Sequence, residues 1–149
     1  MKIVILENIR SAYNVGNIIR TADALGWQVR LSGYTPSPVD NKKVVKTSLG
    51  AEETVGIRQF DTTADAINEA KKKNCTIIAA EIMPEALALA DLVQKHISDV
   101  AVVFGNEVDG VLSTTLKAVD HVVYVPMKGI KESINVGQTS AIFMRALSS

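Results

Sequence analysis

Two runs of β-branched and aromatic residues in the last third of the chain constrain its fold more than any other feature. Residues 100–104 read VAVVF and lead into a loop at residues 105–110, while residues 122–125 read VVYV and lead into a loop that begins at Pro126. Continuous apolar runs of this kind are typical of strands buried on both faces of a parallel sheet. Ligands of such sheets bind in the crevice beyond the carboxyl ends of the strands. We therefore expect the functional site at these two loops.

Shorter apolar runs alternate with helical patterns along the rest of the chain. Strand patterns cover residues 2–6, 27–33, 55–60 and 75–80. Helical patterns cover residues 15–25, 62–73, 84–97 and 111–118, and a last helix opens near residue 131. The proline-containing segment 34–46 predicts a long loop. This alternation predicts an α/β domain with a mostly parallel sheet and helices on both faces.

Length and composition favour one ordinary globular domain. The chain has 149 residues, 47% of them hydrophobic, and no clear domain boundary;. It contains no apolar run long enough for a membrane span and no secretory signal pattern, so we expect a cytoplasmic protein without membrane contact. Cys75 is the only cysteine, which excludes an internal disulfide, and no His or Cys group has the spacing of a metal site;. We expect Cys75 to lie in the core, and we assign no catalysis to His96 or His121.

The charge balance gives a mild indication against a dedicated nucleic-acid binder. The formal net charge is zero and the pI is about 6.7, whereas nucleic-acid-binding domains are typically basic;. Basic residues nevertheless exceed acidic ones between residues 10 and 58. The sequence therefore still permits a basic surface patch formed by this segment.

Three common nucleotide or hydrolase motifs are absent from the sequence. No G-x-G-x-x-G follows the first strand, and neither G-x-x-x-x-G-K-[ST] nor G-x-S-x-G occurs;. A standard dinucleotide site, a P-loop and a nucleophile elbow all lose support. The ligand site of this domain must be built differently.

Polar residues near the start of the first predicted helix have two interpretations. Asn17 and Arg20 are three residues apart on one helix face, and Asn14 lies near the helix N-terminus;. They can face a site. Alternatively, Asn14 caps the helix and Arg20 pairs with Asp23 on the surface.

The two strand-exit loops also carry ambiguous polar residues. Glu107 follows Gly105 and can be either a site residue or an anion that complements the dipole of the helix over residues 111–118;. Ser133 and Asn135 follow the last strand and can belong to a site. Alternatively, Ser133 is the N-cap of the last helix.

Four segments taken together resemble the SpoU (TrmH) family of SPOUT-superfamily RNA methyltransferases. Residues 14–22 (NVGNIIRTA) are similar to the family pattern N-x-G-x-x-x-R-T-A, and residues 103–111 (VFGNEVDGV) to a strand followed by G-x-E-x-x-G. Residues 125–136 (VPMKGIKESINV) are similar to I-P-M-x-G-x-x-x-S-L-N-V, and residues 46–51 (KTSLGA) to S-x-G-A. The four segments occur in family order, and the resemblance covers essentially the whole chain.

The resemblance implies a fold and an activity. The fold is an α/β domain over residues 1–149 with a C-terminal deep trefoil knot, assembled as a homodimer. Unlike many family members, this chain is expected to carry no extra RNA-binding domain. The activity is S-adenosylmethionine-dependent methylation of a ribose 2′-hydroxyl in tRNA or rRNA, with RNA selected by the dimer surface or by an accessory protein. The implied cofactor contacts are Gly105, Glu107, Val125, Met127, Ser133 and Ile134. The implied catalytic and substrate-binding residues are Asn14, Arg20, Glu107, Ser133 and Asn135.

The chain departs from the family pattern at two places. Ile134 replaces the usual leucine, and residues 137–139 (GQT) replace the more common Ser-Val-Ala. The family assigns Arg20 a role as a base, but arginine keeps its positive charge in proteins, which favours a clamp on an RNA phosphate that also stabilises the developing alkoxide. Two alternatives stay open at this point: a SPOUT methyltransferase that acts on an RNA base, and a non-catalytic RNA-binding protein.

Overall fold

The computed structural model describes residues 1–148 and contains a seven-stranded, fully parallel sheet in the order β3-β2-β1-β6-β4-β7-β5. The strands are β1 (Lys2–Glu7), β2 (Gln28–Ser32), β3 (Ile57–Phe60), β4 (Thr76–Ala80), β5 (Leu87–Ala88), β6 (Val100–Phe104) and β7 (His121–Tyr124). The helices are α1 (Ala12–Leu25), α2 (Lys42–Ser48), α3 (Thr63–Lys72), α4 (Leu89–Val93), α5 (Ser113–Leu116) and α6 (Val136–Ala146). A short 3-10 helix covers Ala51–Glu53.

The sheet separates two hydrophobic clusters, because successive side chains of a strand point to opposite faces. In β1, Val4 and Leu6 join a large cluster with α1, α2, α4 and α6. Ile3 and Ile5 join a smaller cluster with α3 and α5. The predicted α/β sheet with helices on both faces is therefore confirmed.

Helix α1 ends where its sequence predicts, although it begins at Ala12 rather than at residue 15. Gly26 adopts φ +77°, and its N–H donates to the carbonyls of Ala22 and Asp23;. Inside the helix, a Cβ placed on Gly16 would lie 1.9 Å from Oγ1 of Thr47. The glycine of the first family segment therefore allows α2 to pack directly against α1.

The loop predicted over residues 34–46 is partly wrong, because α2 begins at Lys42. Asn41 caps this helix, and its side chain accepts from the backbone N–H of Lys43. Within the helix only Val44 and Ser48 are buried, so the seven residues carry almost no apolar period. The helix is held by its packing on α1 rather than by a pattern of its own.

The helix predicted over residues 84–97 is also wrong in its first half. Met83 and Ala86 close a turn, and Leu87 and Ala88 then pair with β7 as an edge strand before α4 begins. The apolar spacing that suggested a helix reflects the pairing of Leu87 with Val123 and the burial of Leu89.

The last two predicted helices are shorter than their patterns suggest. The helix predicted over residues 111–118 covers only Ser113–Leu116, and the last helix begins at Val136 rather than near residue 131. Residues 126–135 form an irregular segment between β7 and α6.

Two basic residues that could have contributed to a basic face are engaged in ion pairs instead. Arg30 is 2% exposed, and its Nε donates to Oε1 of Glu69 at 2.6 Å. Arg58 pairs with the other carboxylate oxygen of Glu69. Burial raises the pKa of the Glu69 carboxyl, but the hydrogen bond and charge of Arg30 outweigh it, so the pKa lies below its ordinary value.

Within residues 1–148, none of the helices has the length and apolar character needed to cross a membrane.

Candidate active site at the carboxyl edge of the sheet

A cavity of about 560 Å³ lies where β4, β6 and β7 end. We call it the strand-exit cavity. Its walls come from the loops after these three strands, from residues 132–136 and from the first turns of α6. Phe104 at the end of β6 and Phe143 of α6 both line it, with ring centroids 5.4 Å apart and planes at 89°. The volume is in the range of small-molecule and cofactor sites.

Seven of the nine site residues singled out in the sequence line this cavity. They are Gly105, Glu107, Val125, Met127, Ser133, Ile134 and Asn135. Asn14 does not line it but is hydrogen-bonded to two residues that do. Arg20 is the one that the structure places apart from the cavity.

Gly105 is needed because the chain folds back on itself directly after β6. The backbones of Asn106 and Gly110 exchange two hydrogen bonds of 3.1 and 3.0 Å. This brings the backbone at Gly110 and Val111 so close that a Cβ on Gly105 would lie 2.4 Å from it. The loop therefore has room only for glycine at this position.

Glu107 holds the N-terminus of α1. One carboxylate oxygen accepts from the N–H of Arg10 and the other from the N–H of Ser11, each at 2.9 Å. Burial raises the pKa of the Glu107 carboxyl, but these two N–H groups and the amide of Asn14 outweigh it, so the pKa lies below its ordinary value. Glu107 is thus a helix N-terminal anion, as one interpretation predicted, but of α1 rather than of the helix that follows it.

Asn14 and Asn135 extend this contact across the cavity wall. Nδ2 of Asn14 donates to Glu107 at 3.4 Å, and Nδ2 of Asn135 donates to Oδ1 of Asn14 at 3.2 Å. Side chains from three distant chain segments are thereby joined in one row. This row links the loop after β6 to the starts of α1 and α6.

Both predicted capping alternatives are wrong at the residue level. Ser11, not Asn14, caps α1, and its hydroxyl accepts from the N–H of Asn14 at 3.2 Å. Asn135, not Ser133, caps α6, and its Oδ1 accepts from the N–H of Gly137 at 2.7 Å. A Cβ on Gly137 would lie 3.0 Å from this oxygen, which explains why a glycine suits this departure from the family pattern.

Arg20 is exposed on α1 and free of the predicted surface pair. Asp23 instead accepts a hydrogen bond of 2.7 Å from the hydroxyl of Thr54. In the part of the chain that the structure describes, no carboxylate forms an ion pair with Arg20. Its guanidinium is therefore available to a partner outside this chain.

Sequence reasoning missed several polar residues of the cavity, among them Glu81 and Asn106. Glu81 follows β4, and its carboxylate accepts from the N–H groups of Ile82 and Val111 at 3.1 and 3.0 Å. Asn106 is 7% exposed and uses its Oδ1 to hold the N–H groups of Val108 and Asp109. The rule that ligands bind at strand exits, applied to β4 as well as to β6 and β7, would have found Glu81.

The electrostatics of the strand-exit cavity are acidic. Three carboxylates line it, from Glu81, Glu107 and Glu132, and the lining within residues 1–148 includes no Lys, Arg or His. Exposed Lys128 and Lys131 belong to the same irregular segment but lie outside the lining. The cavity therefore favours a ligand with a positive charge and an apolar part over a phosphorylated one.

Neither a thiol nor a metal cluster adds to this site. Cys75 is 7% exposed in the core, and burial, the largest influence, raises the pKa of its thiol. Among the residues described, no three His, Cys, Asp or Glu side chains come together as a metal site.

This arrangement defines an α/β protein with a ligand site at the carboxyl edge of a parallel sheet. The chain belongs to the SpoU rRNA Methylase family, whose model matches residues 1–145.

Relatives and solved structures agree with this family. The chain is 32% identical over 143 residues to the 23S rRNA (guanosine-2′-O-)-methyltransferase RlmB of Neisseria meningitidis serogroup B, covering 95% of this chain and 56% of that protein. The structure of an AdoMet-bound rRNA methyltransferase from Sinorhizobium meliloti is 24% identical with a TM-score of 0.88, covering 98% of this chain and 55% of the other. A structure concerned with 2-OH methylation of C/U34 on tRNA is 24% identical with a TM-score of 0.84, and covers 99% and 93%. The chain thus spans little more than half the length of the first relative, and the two structures establish a shared fold.

Proposed function

We propose that this protein transfers a methyl group from S-adenosylmethionine to a ribose 2′-hydroxyl of tRNA or rRNA. Membership of the SpoU family supports the proposal, as does the activity for which the Neisseria relative is named. The observation that carries it is the strand-exit cavity, which has acidic and apolar walls and gathers all six positions expected to contact the cofactor.

The charge and shape of the cavity fit S-adenosylmethionine. Carboxylates of Glu81, Glu107 and Glu132 suit a ligand that carries a sulfonium and an ammonium, and apolar side chains such as Val125 and Ile134 suit its adenosine part;. We propose that Gly105, Val125, Met127, Ser133 and Ile134 hold this cofactor, partly through backbone groups. When bound, it supplies an electrophilic methyl group.

The residues around the cavity have different proposed roles in the reaction. Methyl transfer would require the ribose 2′-hydroxyl to give up its proton, to solvent or to a base, when its oxygen replaces the sulfur on the methyl carbon. Glu107 is a weak candidate for that base, since two backbone N–H groups already hold its carboxylate in the ionised form. Its role is to fix the start of α1, while Ser133 and Asn135 position the ribose. Positioning of this kind can contribute roughly 7–11 kcal/mol.

We propose Arg20 as the clamp on an RNA phosphate next to the reacting ribose. Its exposure and its position outside the cavity suit a contact with RNA rather than with the cofactor. The planar guanidinium can grip a phosphate through two N–H groups and stabilise the developing alkoxide. Lys128 and Lys131 add positive charge beside the cavity for the same polyanion.

We further propose that the chain acts as a homodimer. Exposed apolar side chains lie on three adjoining helices: Tyr13 on α1 is 47% exposed, Val45 on α2 is 40% exposed and Ile142 on α6 is 41% exposed. A second copy of the chain would cover them. A dimer also brings the Arg20 of each chain to a shared surface on which RNA is selected, with or without an accessory protein.

The knot belongs to the same proposal. After β7 the chain returns along the strand-exit cavity, and α6 then packs on α1 and places Phe143 against Phe104. Such a return to the centre of the sheet supports a trefoil knot, in which the C-terminal segment is threaded through the loops after β4 and β6. We propose that the knot is part of a single domain over residues 1–149.

Mass spectrometry of nucleosides tests the proposed reaction. Purified protein is incubated with unmodified tRNA and rRNA and isotope-labelled S-adenosylmethionine, and the RNA is digested and analysed. We expect label in a 2′-O-methylated nucleoside. Label in a methylated base would keep the cofactor and overturn the reaction. Failure to bind S-adenosylmethionine by calorimetry would overturn the whole proposal and favour a non-catalytic RNA-binding role.

Variants of Arg20 test the clamp within the same assay. Arg20→Lys keeps the charge but loses the planar fork, so we expect it to lose most of the turnover while cofactor binding is unchanged. Nearly full turnover in Arg20→Lys would contradict the clamp.

A further inference from the structure

Tyr34 is an exposed aromatic residue fixed beside the strand-exit cavity. It follows β2, which pairs with β1, and β1 in turn pairs with β6. The side chain of Tyr34 reaches across the loop after β1, so that its hydroxyl accepts a hydrogen bond of 2.7 Å from Nδ2 of Asn106. Because Asn106 lines the cavity, the hydroxyl end of Tyr34 lies next to the cavity wall, although Tyr34 itself does not line the cavity.

Tyr34 is held at its backbone and at its hydroxyl, although most of the residue is open to solvent. Its backbone N–H donates to Oδ1 of Asn8 at 3.2 Å, and the amide that holds its hydroxyl also donates to the carbonyl of Asn8 at 2.8 Å. Asn106 is 7% exposed, whereas Tyr34 is 60% exposed. A fixed ring loses little conformational entropy when a flat partner stacks on it.

The surroundings of Tyr34 suit an anionic, hydrogen-bonding partner. Arg10 lies in the loop that the ring crosses; its backbone N–H binds Glu107, and its side chain is exposed. Across residues 1–148 no carboxylate forms an ion pair with this guanidinium. The hydroxyl of Tyr34 only accepts in its contact with Asn106, so its hydrogen is free to donate.

We propose that Tyr34 is a stacking platform for a nucleobase of single-stranded RNA, next to the nucleotide whose ribose enters the strand-exit cavity. This inference rests on the proposed function and adds a specificity-determining residue to it. Bases stack on aromatic rings with little regard to sequence, while Arg10 attracts the phosphate between the stacked and the reacting nucleotide. The target nucleotide is thereby required to have an unpaired neighbour.

Binding of a short fluorescein-labelled single-stranded RNA of mixed sequence, followed by anisotropy with S-adenosylhomocysteine present, tests the platform. Loss of one stacked base predicts that Tyr34→Ala weakens binding by roughly 5- to 150-fold. Tyr34→Trp and Tyr34→Phe keep a ring and should bind within a few-fold of wild type. Val39→Ala is the matched control, because it removes a 91% exposed apolar side chain from the same β2–α2 connection.

Cofactor affinity, measured by calorimetry, separates stacking from a merely structural role. If Tyr34 only pinned Asn106, Tyr34→Phe would lose as much RNA affinity as Tyr34→Ala, and both would bind cofactor more weakly; that pattern overturns the proposal. Unchanged RNA binding by Tyr34→Ala overturns it too, as does a wild-type protein that binds cofactor but no single-stranded RNA. A wild-type protein that binds RNA but not cofactor refutes the proposed methyl transfer instead.

Discussion

Replacing Glu107 by glutamine tests whether the loop after β6 stabilises the start of α1. The carboxylate accepts from the N–H groups of both Arg10 and Ser11, one on each oxygen. Glutamine keeps one acceptor, loses the negative charge and turns an N–H donor toward one of the two backbone donors. The variant therefore removes one backbone hydrogen bond and a negative charge next to the helix N-terminus, while it keeps the size of the side chain and leaves the Ser11 cap in place.

The expected loss of stability follows from these two effects. A lost intramolecular hydrogen bond costs about 0.5–1.5 kcal/mol, and loss of a favourable charge at a helix end costs about 0.3–1 kcal/mol. Because the two overlap and the site is exposed, we expect a total of about 1–2 kcal/mol. For a domain of this size, that lowers Tm by roughly 2–8 °C.

The pH dependence gives the experiment its second readout. The folded-state pKa of the Glu107 carboxyl lies below its ordinary value, so its contribution to the free energy of unfolding is fully present above about pH 4.3;. It is lost as the pH falls through the lower folded-state pKa. The stability difference between wild type and Glu107→Gln should therefore shrink at strongly acidic pH.

Thermal unfolding by circular dichroism measures both the loss of Tm and its pH dependence. All samples have the same protein concentration, because association shifts Tm. Glu132→Gln is the matched control, since Glu132 also lines the strand-exit cavity but accepts no hydrogen bond from α1 among the contacts of residues 1–148. It should leave Tm within about 1 °C of wild type. Equal Tm for Glu107→Gln and wild type near neutral pH, or a difference that does not change with pH, would refute the idea that the Glu107 carboxylate stabilises the start of α1.

Three further substitutions test the cavity, the ion pair and the dimer. Gly105→Ala places a Cβ 2.4 Å from the backbone at Gly110 and should lower cofactor affinity at least tenfold by calorimetry;. Gly56→Ala is the control and should not change this affinity, because its Cβ would meet only ordinary contacts of 3.6 Å or more. Glu69→Gln leaves the buried Arg30 without its counter-charge and should lower the free energy of unfolding by about 3–5 kcal/mol in urea titrations; a loss below about 1 kcal/mol would mean that the pair is solvated;. Ile142→Lys should shift the mass measured by light scattering from dimer to monomer, and an unchanged dimer would place the interface elsewhere.

Residues whose role depends on their own strand were predictable from sequence. The run at 100–104 identified β6, and the rule for parallel sheets then placed Gly105 and Glu107 at the ligand edge;. The roles of Arg20, Ser133 and the other site residues were inferred from family resemblance. Most of these residues line the strand-exit cavity.

Features that depend on packing between distant segments were not predictable. Helix α2 has almost no apolar period and is held by its fit against Gly16 of α1. The partner of Glu107 is a helix N-terminus 96 residues away in sequence, and no spacing rule connects the two. Tyr34 was missed for the same reason, because its hydrogen bond to Asn106 crosses a strand from a different part of the chain.

The order of the strands has a consequence for the newly made chain. Strand β1 lies between β2 and β6, and Lys2 is paired with Val100. At roughly 5–20 residues per second, a ribosome needs about 5–20 s to make the 98 residues that separate these partners;. During that time the edge of β1 that later pairs with β6 is unpaired, and residues 3–6 of this strand are all apolar. The emerging N-terminal half is therefore a target for chaperones and for aggregation. The ligand edge needs residues up to Phe143, so it is completed only after all seven strands have been made.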